Sequence, residues 1–406
     1  MKRNKICIIT PMIYPVPAVK GGAVETLVEL LVKMNERFNQ AEFTVISVFD
    51  AEAEKKSREF INTKFVFIKR GDKWDQFFSK KAFVYINKVS LKLWNKTLIS
   101  LPYTKRALHA IEKNHYDMYV LEGGGDYYNF GYLNKKIDSK KLSIHFHGEV
   151  EGSIPLKKWF NNYFVVSNYI GRKLICNGII DPKFVHVLPN CYDNLDAAND
   201  STLVNYREQF GISKDEIVFV FWGRLIPQKG VYELLKAFSI AHQSMPKSKL
   251  LIIGNATFGK QTYSEYDRKL SDICDTFDLN NSVIFTGFLQ HEKVKQLLQK
   301  CDVGVIPSLW DDPAPLTVFE GLASGLAIIA SNVGGIPEII EDGNNGLLLS
   351  WSENYINDLA RMMTELYKNT FLRQELSRRA KASVSKYDAE SYYFRFIKAL
   401  GDACDD

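Results

Sequence analysis

PSLWDDPAPLTVFEGLASG, Pro307 to Gly325, decides how the chain is read. Two short apolar runs bound it, VGVIP (Val303 to Pro307) and LAIIAS (Leu326 to Ser331), and both read as buried strands. Pro313 and Pro315 keep their surroundings extended, and Pro315 suits the first residue of a helix carrying Leu316 to Ala323. The amides of Leu316, Thr317 and Val318 are then unpaired donors at a helix N-terminus, where the dipole favours an anion such as phosphate. Glu320 lies one turn in and Asp312 just before the helix, so both carboxylates can face one ligand. Amides for a diphosphate and acceptors for ribose and sugar hydroxyls suit a nucleotide sugar. A strand, a proline-containing loop and a helix also occur as plain scaffold in α/β domains, and this stretch alone leaves both readings open.

The chain has 406 residues, of which 46% are hydrophobic, enough for two domains of ordinary size. No apolar run approaches the ~20 residues that span a bilayer. The first residues, MKRNKICIITPMIYP, resemble a first buried strand more than a signal peptide, which points to the cytoplasm. Six scattered cysteines without a C-x-x-C pair argue against a disulfide framework and a zinc site. The net charge of +5 is mild, and nothing in it calls for nucleic acid as a partner.

A second informative stretch is WGRLIPQKG, after the buried strand beginning at Ile217. Arg224 leaves the strand end, and Lys229 and Gly230 precede a helix from Val231, so two cations and free amides converge where a diphosphate can lie. The bland reading is a surface Arg and Lys in a loop. Near the other end, the strand Ile6 to Thr10 leads through PMIYPVPAVKGG to a helix from about Ala23 to Arg37; Gly21 and Gly22 let a ligand approach that helix's N-terminus closely. Strands at 43–49, 64–69, 118–122, 142–146 and 163–166 alternate with helical patterns and imply a mainly parallel, doubly wound sheet. SIHFHGE ends one of them, so His147 is expected at the carboxyl edge of the sheet, with His145 on the same face but deeper. Lys73 to Arg106 mixes many lysines with Trp74, Phe77, Phe78, Phe83, Tyr85 and Trp94. It suits an anionic membrane surface and equally an ordinary helix pair with a solvated lysine face.

Asp312 and Glu320, eight apart before a small-residue helix ending at Gly325, resemble the E-x7-E motif of the GT-B glycosyltransferases of family 4. The G-R-x4-K-G spacing from Gly223 to Gly230 is similar to that family too. PVPAVKGG looks like bacterial members associated with spore coat and surface polysaccharide. VVSNYIGRKL and HVLPNCYD match, in order, the family's serine-containing segment and its PNG-V-D-like turn; Asn190 to Asp193 reads as the start of a linker. Three positions depart from the pattern: Asp312 for the usual Glu, Pro315 where Gly is common, and Cys191 for Gly.

The resemblance implies an α/β protein of GT-B fold, with two Rossmann-like, doubly wound domains facing a central cleft. Residues 1–190 would be the acceptor-binding domain, 191–212 a linker, 213–385 the nucleotide-sugar domain, and 386–406 a helix packing back on the first domain. It implies a retaining hexosyltransferase that moves a sugar from a nucleoside diphosphate sugar, a UDP-sugar by preference, to a glycan or lipid-linked glycan of bacterial surface polysaccharide. His147 would contact the sugar near the reacting carbon, Arg224 and Lys229 the diphosphate, Asp312 a sugar hydroxyl and Glu320 the ribose. The Gly21–Gly22 loop would reach toward the diphosphate, and Phe288 and Leu289 would offer backbone groups to the base. No D-x-D metal clamp is present in the sequence, so no metal or other cofactor is expected. The protein would work in the cytoplasm, at the inner membrane face if the basic segment binds lipid. Three readings stand beside this: a nucleotide-sugar-binding, non-catalytic subunit of a transferase complex, a nucleotide-sugar 2-epimerase, and a sugar phosphorylase, which would require free phosphate.

Overall fold

The computed structural model describes residues 3–11, 13–69, 102–112, 114–123, 137–150, 156, 159–193, 206–255 and 264–405. Most of the basic, aromatic segment at 73–106 lies outside them; its end, from Pro102, starts a helix that runs to Glu112. The chain divides into two compact units, Met1–Pro189 with Ala389–Asp406, and Asn190–Asp388.

The first unit is built on β1 (Asn4–Ile9), β2 (Ala41–Val48), β3 (Thr63–Ile68), β4 (Met118–Gly123), β5 (Leu142–Phe146), β6 (Asn162–Val165) and β7 (Val185–Val187). They form one parallel sheet in the order β3-β2-β1-β4-β5-β6-β7. Strand stretches such as ICII of β1 and MYVL of β4 are buried on both faces, so they read as continuous apolar runs rather than alternating ones. Short β7 carried no such run: Val185 and His186 are half-buried and Val187 is exposed at the sheet edge, and the sequence reading took His186 onward as part of a turn motif. After β1, helix α1 (Ala23–Phe38) buries Leu27, Leu30, Leu31 and Met34, and it ends on Asn39 in a left-handed conformation.

In the second unit β8 (Ile217–Trp222), β9 (Ser248–Ile253), β10 (Val283–Gly287), β11 (Val303–Ile306), β12 (Ala327–Ser331) and β13 (Leu347–Leu349) form a parallel sheet ordered β10-β9-β8-β11-β12-β13. Helices α2 (Val231–His242), α3 (His291–Leu298), α4 (Leu316–Ala323) and α5 (Tyr355–Lys368) accompany it. After β12 the chain makes only a single 3-10 turn, Ile336–Glu338. Asn345, itself buried, accepts the Glu341 N–H and donates to the Ile339 carbonyl, which turns the chain back into β13 before a helix can propagate. The segment expected as a linker is tied to this unit at its end: the Arg207 guanidinium bonds the Lys300, Ser213 and Glu216 carbonyls and the Asp302 carboxylate.

The last helix, α6 (Ala389–Asp405), belongs to the first unit and packs on α1. Its Tyr393 hydroxyl donates to Asn35 Oδ1 at 2.7 Å and accepts from the Gln40 amide, while Phe38 and Phe43 pack against its ring and Phe396 stands edge-on to Phe43. Among the described residues no helix is long and apolar enough to cross a membrane. In each sheet the strand order reverses beside the first strand, between β1 and β4 and between β8 and β11. Open α/β sheets bind ligands outside the carboxyl ends of strands at such a point.

Candidate functional site

In the second unit the residues after β8 and β11 meet. Leu309 donates its amide to Gln228 O, which docks the loop after β11 on the 3-10 turn Pro227–Lys229. Gly230 sits in the left-handed region, and a Cβ there would run into the Pro307 carbonyl oxygen, so a side chain would separate the two loops. The docking brings Lys229 Nζ to 2.5 Å from Asp312 Oδ2, with Ser308 Oγ donating to the same oxygen and the ammonium 5.9 Å from the Trp310 ring centre. Asp312 is 4% exposed, and Gly335 donates its amide to the Asp312 carbonyl, an approach that Gly334 allows because any Cβ there would meet that backbone. Asp312 is therefore held from both its side chain and its main chain.

Glu320, one turn into α4, is placed by a residue the sequence reading passed over. Trp222 ends β8, and its Nε1–H donates to Glu320 Oε2 at 2.8 Å. The indole has room because Gly304 and Gly321 face it; a Cβ at Gly321 would come 2.8 Å from the ring. The other Glu320 oxygen lies 3.7 Å from His291 Nδ1, on the first residue of α3. Phe288 and Leu289 are half-buried in the loop that leads to that helix, so the loop after β10 stands beside Glu320.

The helix N-termini differ from the expectation in detail. Pro315, with ψ of 130°, is the residue before α4 and not its first helical one, because its extended ψ cannot continue a helix. Its carbonyl accepts the Val318 N–H at 3.0 Å, so Val318 is not a free donor. Leu316 and Thr317 have no backbone acceptor among the described residues. At α2 the Gly230 amide is taken by the Pro227 carbonyl and the Tyr232 amide by the Tyr266 hydroxyl, so fewer amides are free there than the spacing suggested. Arg224 is exposed just past β8, and its guanidinium forms no ion pair or hydrogen bond among the described residues. Asn190, read only as the start of a linker, braces the same loop by donating to the Ala314 carbonyl at 2.7 Å, with its Oδ1 buried and unpartnered.

In the first unit Gly21 and Gly22 both have positive φ before α1. The space over Gly22 is filled by the Glu25 carboxyl, and Glu25 is itself buried. Burial outweighs the hydrogen bonds from the Glu25 and Tyr14 amides and pushes this carboxyl up to about 7. The donors at this helix start thus already serve the protein's own acid.

His147 follows β5 and is not alone. Its Nε2 lies 2.7 Å from Glu122 Oε2, and His145 Nδ1 lies 2.9 Å from the same oxygen. Glu122 is opposite His145 in the parallel register of β4 and β5, and the two-residue period of a strand puts both imidazoles on its face. Glu122 was missed in the sequence although it carried a signal: an acid ending an otherwise apolar strand, MYVLEG, must find partners once buried. Burial raises its pKa, and the His145 and His147 imidazoles more than reverse that, holding it down at about 2. Each of the three offers one ligand atom within 4.8 Å of the others, a grouping that could hold a metal ion.

Residues 204–383 match the family model of the glycosyl transferases group 1. The chain is 25% identical over 331 residues to a lipopolysaccharide 1,2-N-acetylglucosaminetransferase of Salmonella typhimurium, covering 78% of this chain and 82% of that one. It is 30% identical over 187 residues to spore coat protein SA of Bacillus subtilis, covering 46% of this chain and 47% of that protein. Its fold is similar to that of Anabaena HepE, solved with UDP and glucose, at a TM-score of 0.76 and 18% identity over 98% of this chain and all of that one. The protein has the GT-B fold, and the stretch similar to the glycosyl transferases group 1 falls within its second unit.

Proposed function

We propose that the protein is a retaining glycosyltransferase that needs no metal and moves a hexosyl group from a UDP-sugar to a glycan or lipid-linked glycan. The observation that carries this is the pair of carboxylates Asp312 and Glu320, held on either side of the α4 N-terminus by Lys229 and by Trp222. Leu316 and Thr317 amides with Arg224 and Lys229 face the diphosphate, Glu320 Oε1 takes the ribose, and Asp312 takes a sugar hydroxyl. An ammonium has three donors, so Lys229 can keep Asp312 and still reach a phosphate oxygen. Each charge-assisted bond to the leaving diphosphate is worth about 1.5 to 3 kcal/mol, roughly ten- to a hundred-fold in rate. Those cations and amides supply the positive field that a divalent ion supplies elsewhere. With Asp312 committed to Lys229, no protein carboxylate is assigned as nucleophile, and the leaving phosphate takes the acceptor's proton. Phe288 and Leu289 border the base, and the Gly21–Gly22 loop reaches toward the diphosphate and the acceptor. UDP is preferred because HepE was solved with it, and a glycan acceptor because the Salmonella relative is a lipopolysaccharide transferase. The work is assigned to the cytoplasm, at the inner membrane face.

A thermal-shift screen against UDP-, GDP- and ADP-sugars, with chelator and again with Mg2+, tests the reading. One sugar nucleotide at 100 times its dissociation constant should add about 2.7 kcal/mol, equally in both conditions. Arg224→Ala and Glu320→Ala should abolish that gain. Binding that appears only with Mg2+ would overturn metal independence, and no binding by any donor would overturn the transferase reading. Acceptor-dependent release of UDP with the α-linkage kept completes the test; interconversion of sugars without release would indicate an epimerase, and binding without turnover a non-catalytic subunit.

A further inference from the structure

We propose that Glu122 is a positioning residue for His147: it holds the imidazole as the Nε2–H tautomer and leaves Nδ1 as a fixed hydrogen-bond acceptor for a sugar hydroxyl. The sugar contact rests on the function proposed above; the tautomer does not. Glu122 Oε2 is within hydrogen-bond distance of two ring nitrogens, Nε2 of His147 and Nδ1 of His145. A carboxylate only accepts, so both nitrogens must carry protons. That requires opposite tautomers of two histidines two residues apart. The rings are 4.1 Å apart between centroids, Phe164 packs edge-on against His145, and His145 is wholly buried, so neither the carboxylate nor the deeper ring has room to turn away. His147 keeps 11% of its side chain exposed, and its Nδ1 has no partner among the described residues.

The opposing assignment is a cation shared by the three side chains. It fails on the far nitrogen of His145. Ligation through Nδ1 would place the remaining ring proton on Nε2, which is buried without an acceptor, whereas metal-bound imidazoles regularly donate that proton. With Nδ1–H given to Glu122, Nε2 is only an unused lone pair. Burial and the adjacent His145 also keep the His147 imidazole from protonating, down to a pKa of about 4 in spite of the carboxylate. Its Nδ1 therefore remains an acceptor at neutral pH.

Long-range 1H–15N NMR of the 15N-histidine-labelled protein reads the tautomers directly, with His145→Gln and His147→Asn used for assignment. Without any nucleotide, His147 should be Nε2–H and His145 Nδ1–H between pH 6 and 8. Free imidazole side chains favour Nε2–H, so the Nδ1–H form of His145 is the discriminating signature. Glu122→Gln should return His145 toward Nε2–H and leave His147 mixed. Two identical tautomers, an imidazolium at pH 7, or conversion of both rings by one equivalent of Zn2+ would overturn the proposal. In titrations with UDP and UDP-glucose, Glu122→Gln and His147→Asn should bind UDP as wild type does and UDP-glucose roughly tenfold more weakly. A shifted tautomer with an unchanged glucose increment would also overturn it. Wild type that binds neither probe, with the tautomers as stated, would sink the transferase reading and leave the Glu122 assignment standing.

Discussion

In the second unit the buried carboxylate of Asp312 lies against an ammonium, whereas in the first the equally buried carboxylate of Glu122 lies against two imidazoles. Glu122 lies at the carboxyl end of β4 and Asp312 in the loop after β11, each beside a reversal of strand order, so the fold offers a comparable place twice. The partners differ in what they can do. Lys229 has three N–H donors and can hold an anion in addition to Asp312. His147, kept unprotonated by burial, can only present a lone pair. A buried carboxylate thus serves to aim a charge in one unit and to aim an acceptor in the other.

The largest expected effect breaks the first of these pairs. Lys229→Ala leaves Asp312 buried without a cation and should cost about 3 to 5 kcal/mol in denaturant unfolding of the second unit. Adding Asp312→Asn should recover part of that stability but no donor binding. Equal stability of the single and double variants would show that the pair is not a coupled unit.

The next prediction sharpens the contrast through pH. Above its ordinary value of 6.5, His147 is unprotonated in both folded and unfolded chains; as pH falls toward 4 only the unfolded chain takes the proton, so stability is lost, by about 3 kcal/mol over the interval. Glu25 behaves in the opposite sense. Below its ordinary value of 4.5 it is protonated in both states, and as pH rises toward 7 only the unfolded chain ionises, so stability falls by a similar amount. Between pH 4.5 and 6.5 the two slopes should offset each other. Relative to wild type, His147→Asn should therefore become less stable with rising pH and Glu25→Gln more stable. Denaturant midpoints of the three proteins across that range would check it, and parallel curves would refute it.

Trp222→Phe keeps a ring between Gly304 and Gly321 but removes the donor to Glu320. About 1.5 to 3 kcal/mol should be lost, seen as weaker nucleotide binding with the sheet intact. The smallest effect is a control on the first unit. The exposed Arg37–Glu390 pair between α1 and α6 should contribute under about 1 kcal/mol, since Tyr393 and its aromatic neighbours carry that contact; Arg37→Ala tests this by thermal unfolding.

Much of this was legible in the linear chain because it rests on local signals. Continuous apolar runs marked β1, β8 and β11, and the Gly-containing loops after β1 and β8 and the proline-containing loop after β11 marked the helix starts. The eight-residue interval from Asp312 to Glu320 spans one loop and one helical turn, so periodicity alone sets both carboxylates near one N-terminus. Short edge strands such as β7 and β13 lack a run long enough to show the period, and Asn345 limits the chain after β12 to one 3-10 turn through a side-chain bond that propensity does not report. What the sequence by itself determined was therefore the class of each unit and the loops that carry its chemistry. Only the tertiary structure decided the partners: Lys229 for Asp312, Trp222 for Glu320, and Glu122 for two histidines. Each pair is 23 to 98 residues apart. Their meeting depends on which strands lie side by side, and a buried charge accepts whichever donor that order brings within reach.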